Sequence, residues 1–211
     1  MIGDKLLITD FHHQAAAKVL QALRSRLDRG RCGVSIAGES GSGKTEVAAC
    51  LGELLDKEDY SFVILAQDDY FRLPPKSNHI KRQEDINWVG PQEVRLDLMD
   101  KHVKLLKRGK GIEKPLVYYD EDTIEAEVLP AGDYDVIICE GTYTTLLEHV
   151  ELRCFIDLDY TRTKRARLAR AREVEPDSDF LRAVLEIEHT VISRHKPRAQ
   201  LVIGSEPNNQ T

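Results

Sequence analysis

Gly38-Glu39-Ser40-Gly41-Ser42-Gly43-Lys44-Thr45 fits the template G-x-x-x-x-G-K-[ST] at every fixed position. Such a match carries weight when a strand precedes it and a helix follows, and both flanks are present. Gly33-Val34-Ser35-Ile36-Ala37 is a short apolar run suited to a buried parallel strand, and Val47, Cys50, Leu51, Leu54 and Leu55 recur at helical spacing beyond the lysine. The glycines let the backbone curl until successive N–H groups converge on phosphate oxygens, and the helix N-terminus adds its partial positive charge. Residues Gly38, Glu39, Ser40, Gly41, Ser42, Gly43, Lys44 and Thr45 are therefore expected to bind a nucleoside triphosphate. Lys44 would reach the outer phosphates, and the Thr45 hydroxyl would ligate Mg²⁺.

Upstream, Asp10 fits a helix N-cap, and Ala16, Val19, Leu20, Leu23 and Leu27 form one apolar stripe before Gly30, so an extra amphipathic helix is expected within residues 1–31. Downstream, Ser61-Phe62-Val63-Ile64-Leu65-Ala66 reads as a second buried strand ending in Gln67-Asp68-Asp69-Tyr70-Phe71, followed by a polar, proline-containing loop to about Gly90. Pro91 fits the first turn of a helix striped by Leu96, Met99, Val103 and Leu106 and stopped at Gly109. Pro115 to Tyr119 and Thr123 to Leu129, around the turn Asp120-Glu121-Asp122, read as an inserted hairpin. Further buried strands are expected at Asp135 to Cys139, Cys154 to Asp157 and Gln200 to Ile203. A helix patterned by Leu181, Val184, Leu185, Glu188 and Ile192 precedes the last. Strands alternating with helices predict an α/β fold of the P-loop NTPase type, a parallel sheet of about five strands covered by helices. It would be one domain with its nucleotide-binding core at 33–203 and a loose tail at 205–211.

A chain of 211 residues can bury a core of this kind without disulfide or metal staples. Its net charge of -6 argues against a general nucleic-acid binder, which carries a basic surface. No apolar run reaches membrane-spanning length, and Met1-Ile2-Gly3-Asp4-Lys5 does not open a signal peptide, so a cytoplasmic protein is expected. Cys32, Cys50, Cys139 and Cys154 lack C-x-x-C spacing and lie in or beside apolar stretches, as reduced packing residues do. The scattered histidines do not suggest a zinc site.

In an open α/β sheet the ligand sits beyond the carboxyl ends of the strands, so an acid just past a buried strand falls in the crevice. Asp68 follows the second strand and Glu140 the third, at the same edge as the glycine-rich loop. A carboxylate there can complete a Mg²⁺ shell or accept the proton of an attacking hydroxyl. The base role falls to Asp68 and the metal role to Thr45, Asp68 and Glu140, whereas neighbouring Asp69 fits a turn or capping acid. Between Arg162 and Arg172 stand Arg162, Lys164, Arg165, Arg167, Arg170 and Arg172, with no wide apolar stripe among them. The segment reads as a lid whose arginines neutralise charge during phosphoryl transfer and help exclude water, the alternative being a solvated charged helix.

Taken in order, these segments resemble the uridine kinase and phosphoribulokinase family of P-loop small-molecule kinases over most of Gly33 to Ile203. Gly38 to Thr45 matches the family's P-loop, and Gln67-Asp68-Asp69-Tyr70-Phe71-Arg72 is similar to its Q-D-S-F-Y-R segment, whose first Asp is base and metal partner. Glu140-Gly141 resembles the family's E-G after the third strand. Phe155-Ile156-Asp157-Leu158-Asp159, then Thr161-Arg162, resembles its F-V-D-x-D strand and the T-R that leads into an arginine-rich lid. The resemblance implies phosphate contacts for Lys44, Arg162, Arg165 and Arg170.

On the acceptor side the chain departs from that pattern. Uridine kinases carry Asp-His-Pro, whose Asp holds ribose hydroxyls, where this chain has Trp88-Val89-Gly90-Pro91, and valine cannot accept that hydrogen bond. Their hairpin carries Tyr-Asp-Phe and then a base-reading His, against Tyr118-Tyr119-Asp120-Glu121-Asp122 here. Tyr70, Tyr118 and Tyr119 are candidate acceptor contacts. The three acids point either to a different or cationic acceptor or to a solvated turn.

Residues and resemblance together lead to an ATP-dependent kinase. ATP and Mg²⁺ bind the loop, Asp68 deprotonates a hydroxyl of a small molecule, and the γ-phosphoryl moves in line under the arginines. The acceptor is uridine-like or a non-nucleoside such as pantothenate, nicotinamide riboside, glycerate or a sugar. A nucleotide-dependent switch or ATPase is the competing class. Against it stand the missing N-K-x-D motif and the lack of an obvious second, water-activating acid beside Glu140. Neither nucleic acid nor membrane is an expected partner, and an oligomer is compatible with the sequence.

Overall fold

The computed structural model describes residues 6–164, 167–168 and 178–204. Its strands are β1 (Cys32–Gly38), β2 (Phe62–Ala66), β3 (Ile112–Tyr118), β4 (Thr123–Leu129), β5 (Val136–Glu140), β6 (Leu152–Asp157) and β7 (Leu201–Gly204). Five of them form one parallel sheet in the order β2-β5-β1-β6-β7, and β3 pairs antiparallel with β4 as the expected hairpin. Central β1 is buried along its whole length, as an unbroken apolar strand covered on both faces must be.

One face is covered by α1 (Asp10–Leu27) and α2 (Lys44–Lys57), whose Ala16, Val19, Leu23, Val47 and Leu51 share a core with Val34, Ile36 and Ile138 of the sheet. The extra N-terminal helix therefore packs on the sheet beside the helix of the phosphate-binding loop. Thr9, not Asp10, occupies its N-cap, and the Thr9 backbone N–H donates to His12 Nδ1 at 2.9 Å. The opposite face is covered by α4 (Leu96–Leu106), the segment after β5 and the end of α5 (Asp179–His195), through Met99, Val103, Leu106, Tyr143 and Ile192. All four cysteines are buried and free.

Besides that N-cap, two expectations about elements are corrected. The stretch read as a polar loop to Gly90 contains α3 (Pro75–Glu84), a helix with Ile80 as its one large aliphatic side chain, which is why no apolar stripe announces it. Polar contacts hold it instead. Asp122 of the hairpin turn accepts from the backbone N–H of Lys76 at 2.7 Å and of Ser77 at 3.1 Å, closing the N-terminus of α3 from a distant part of the chain. The second correction concerns Pro91, which opens a separate short turn, Pro91–Glu93, while α4 starts at Leu96. In between, Val94 is extended and forms a bridge to Phe71, because Glu93 turns back to accept from the Gly90 N–H at 2.7 Å.

Candidate active site

Strand register brings the candidate residues to one edge. Glu140, the last residue of β5, lies level with Ile36 of β1 and Ala66 of β2, so Gly38-Glu39, Gln67-Asp68 and Glu140-Gly141 leave the sheet side by side. The turn after Glu140 is tightly made. Gly141 donates to Ile36 O at 3.1 Å with φ +153, a Cβ there would overlap Gln67, and Gln67 Oε1 accepts from the Tyr143 N–H at 2.7 Å. Glu140 is 5 % exposed and Asp68 half-buried, so both acids stand at the rim of the sheet in a partly dehydrated setting.

The glycine-rich loop curls as expected. Gly41 and Gly43 take φ of +73 and +91, the Ser42 N–H donates to Glu39 O at 3.1 Å, and Lys44 Nζ donates to the same carbonyl at 2.8 Å. Ser42 Oγ is buried with no hydrogen-bond partner among the described residues. A phosphate in the cradle would satisfy such a group, and the N-terminus of α2 would favour its charge. Thr45, Asp68 and Glu140 offer hard oxygen donors suited to Mg²⁺. No cluster of three or more His, Cys, Asp or Glu able to hold a metal occurs among the described residues. The ion would thus depend on phosphate oxygens and water, the usual habit of Mg²⁺.

The start of the basic segment rests on this loop. Glu39, inside the loop, accepts from the Tyr160 N–H at 2.7 Å, and its other oxygen lies 2.6 Å from His189 Nδ1 on α5. Thr163 Oγ1 donates to Ser40 O at 2.8 Å, Arg167 donates to Tyr160 O at 2.7 Å, and a Cβ on Gly41 would come within 2.7 Å of Arg167 Cγ. Arg162 is exposed; Arg165 and Arg170 lie outside the described residues. Sequence reasoning assigned no role to His189 and did not carry Arg167 into the site. Nothing in the local pattern marks either, since both act through contacts distant in the chain.

On the acceptor side the structure separates the candidates. Tyr118 and Tyr119 stand half-buried at the end of the hairpin. Tyr70 is 0 % exposed in the core under α4, its hydroxyl 2.9 Å from His102 Nδ1, so it supports the wall and does not line the cleft, contrary to the sequence expectation. Asp69 serves as a structural acid, as its position suggested: it accepts from Lys114 Nζ and from the Val117 N–H, both at 3.2 Å, and so pins the hairpin to the end of β2. Of the three acids in the hairpin turn, Asp122 is committed to α3.

Val89 is buried, and the wall around it is built from charged groups that sequence reasoning missed. Arg82 of α3 donates to Glu93 at 2.5 and 3.0 Å and to Glu188 of α5 at 3.1 Å, while Asn78 bridges Glu93 and the Trp88 indole. Burial pushes the Glu188 carboxyl up from its ordinary value, Arg82 and Lys44 pull it down, and Glu93 pushes it up further. One signal was readable: Glu188 occupies a position in the apolar stripe of its helix, where an acid needs a partner.

The model of the phosphoribulokinase / uridine kinase family matches residues 34–211. A uridine kinase from Staphylococcus epidermidis is 29% identical over 189 residues, covering 84% of this chain and 89% of its own. Among solved structures, phosphoribulokinase from Rhodobacter spheroides aligns with a TM-score of 0.64 at 9% identity, over 83% of this chain and 70% of its own. D-glycerate 3-kinase from Cryptococcus neoformans aligns at 0.60 and 16%, over 89% and 88%. Both structures share the fold. Among the described residues no helix is long and apolar enough to cross a membrane.

Proposed function

Because the chain belongs to the phosphoribulokinase / uridine kinase family of small-molecule kinases, we propose that it moves the γ-phosphoryl group of ATP to a hydroxyl of a small acceptor, with Asp68 as the base. The reading is carried by the strand register that brings Gln67-Asp68 and Glu140 to the edge where the glycine-rich loop leaves β1. Lys44 and the N–H groups of the loop hold the phosphates and offset the charge that spreads over the transferred group. Mg²⁺, held by the Thr45 hydroxyl, Asp68 and Glu140 together with phosphate oxygens, supplies further charge neutralisation when bound. Asp68 takes the proton of the acceptor hydroxyl as that oxygen approaches the phosphorus. Arg162, with Arg165 and Arg170, belongs to the segment proposed to cover the phosphates; Thr163 and Arg167 at its start anchor it to Ser40 and Gly41. Tyr118 and Tyr119 are proposed to border the acceptor.

Uridine is the first acceptor to try, on the strength of the uridine kinase relative. A non-nucleoside acceptor is the second reading, and the buried Val89, which offers no side-chain hydrogen bond, favours it. The test is an acceptor panel of uridine, cytidine, pantothenate, nicotinamide riboside, D-glycerate and D-fructose, following ADP release and the mass of the product. ADP release stimulated by one acceptor, with a phosphate monoester formed, supports the proposal. ADP release indifferent to every acceptor speaks for an ATPase or switch.

A further inference from the structure

One acid stands inside the phosphate cradle itself. Glu39 is the second residue of the glycine-rich loop, and a loose carboxylate there would repel the triphosphate that the loop is expected to hold. In the structure that carboxylate is engaged at both oxygens. Its side chain is 9 % exposed, Oε2 accepts from the Tyr160 N–H at 2.7 Å, and Oε1 lies 2.6 Å from His189 Nδ1. An ionised carboxylate can only accept, so Nδ1 carries the hydrogen of that bond. The two partners also support each other, since the Tyr160 and His189 rings meet edge to face with centroids 5.7 Å apart.

His189 is delivered to Glu39 by a fixed element. On α5, Glu188 before it accepts from Arg82 at 3.1 Å, and Ile192 three residues on is buried in the core. The imidazole side chain itself is 45 % exposed, so a substitution at 189 removes a contact without opening the core. Two cations at the same loop decide what a released carboxylate would do. Arg167 donates to Tyr160 O at 2.7 Å and to Thr163 Oγ1 at 2.8 Å, and so braces the residue whose N–H takes Oε2. Lys44 Nζ donates to the Glu39 carbonyl at 2.8 Å, so the lysine expected to reach the outer phosphates already lies beside this residue. Let go by His189, the Glu39 carboxylate would keep the Tyr160 hydrogen bond and compete with the phosphates for the Lys44 ammonium.

We infer that His189 is a positioning residue of the donor site: by binding Glu39 it keeps an acid of the loop off Lys44 and away from the phosphates, which lets this loop take a triphosphate. The inference rests on the nucleotide-binding half of the kinase reading above and deepens it by giving α5 a part in donor binding. His189 acts through Glu39, so its effect depends on the charge at position 39. Without that charge there is nothing to hold back from Lys44, and the histidine loses its task.

The test measures binding of the β,γ-imido analogue of ATP with Mg²⁺ by calorimetry, together with the unfolding midpoint of each protein without nucleotide and acceptor-stimulated ADP release. His189→Ala is expected to weaken binding about tenfold. The same change made in a Glu39→Gln background is expected to cost less than about threefold, because the charge to be held is gone. His189→Leu, which keeps more bulk and equally removes the donor, is expected to give the same pair of values and serves should His189→Ala fail to fold. Equal losses in the two backgrounds overturn the inference, as does a lower unfolding midpoint with the affinity unchanged, the mark of a merely structural contact. Acceptor-stimulated turnover alongside either of those results leaves the kinase reading standing without the inference. An affinity that depends on His189 and ceases to do so in Glu39→Gln, with no turnover on any acceptor, sinks phosphotransfer and leaves the inference standing. A wild-type protein that does not bind the analogue overturns both.

Discussion

Asp68, the proposed base, and Gly141, which turns the chain after β5, each carry a prediction at the scale of a single residue. Asp68→Asn keeps the size and removes the proton acceptor, so kcat is expected to fall about 10²–10⁴-fold while KM for ATP changes little, as steady-state kinetics with both substrates would show. Retained turnover with lost ATP affinity would remove Asp68 from the base role. Gly141 has φ +153 and no room for a Cβ beside Gln67, so Gly141→Ala is expected to destabilise the fold by about 1–3 kcal/mol, read as a lower midpoint in denaturant. Asp68 was legible in the sequence because it follows an apolar strand directly. Arg82 and Glu188 were not, being 106 residues apart and joined only once α3 and α5 share a wall.

Among elements, α3 is the most dependent on the rest of the chain. Its first turn is closed by Asp122 from the hairpin, so Asp122→Ala is expected to cost about 1 kcal/mol and to loosen hairpin and helix together, which hydrogen exchange at Lys76 and Ser77 would report. The sign with pH is fixed. Partial burial works to raise the Asp122 carboxyl, but the Ser77 side chain and the Lys76 and Ser77 backbone N–H groups outweigh it and hold the group below its ordinary 3.8. The stabilisation is therefore present above that value and is lost as pH falls through the lower folded value. The five strands of the parallel sheet were legible as largely apolar runs bounded by turn residues, and the hairpin strands by their β-branched and aromatic residues around the turn Asp120-Glu121-Asp122. α3 was not, because its sequence carries charges and amides where a stripe would be and its stability comes from tertiary hydrogen bonds.

The molecule as a whole should lose stability as it is acidified. Burial, then Arg198, pushes His195 down from 6.5 to about 4, and burial with nearby lysines also lowers His102. Between those limits the unfolded chain binds a proton that the folded chain refuses, so stability falls as pH drops from 6.5 toward about 4. His195→Gln is expected to flatten that slope in thermal melts taken across the range, whereas an unchanged slope would assign the effect to other groups. Strand content and α/β class could be read from alternating patterns. The placement of β5 between β1 and β2 could not, since pairing order depends on which helices cover which face. That placement sets Glu140 beside Gln67-Asp68 and beside the loop.

The most direct measurement supplies ATP labelled with ¹⁸O in its γ-phosphoryl group, together with Mg²⁺ and the acceptor panel, and follows the label by mass spectrometry. Label recovered in a phosphate monoester of one acceptor is the expected result. Label found only in inorganic phosphate, whatever acceptor is present, would contradict phosphoryl transfer to an alcohol.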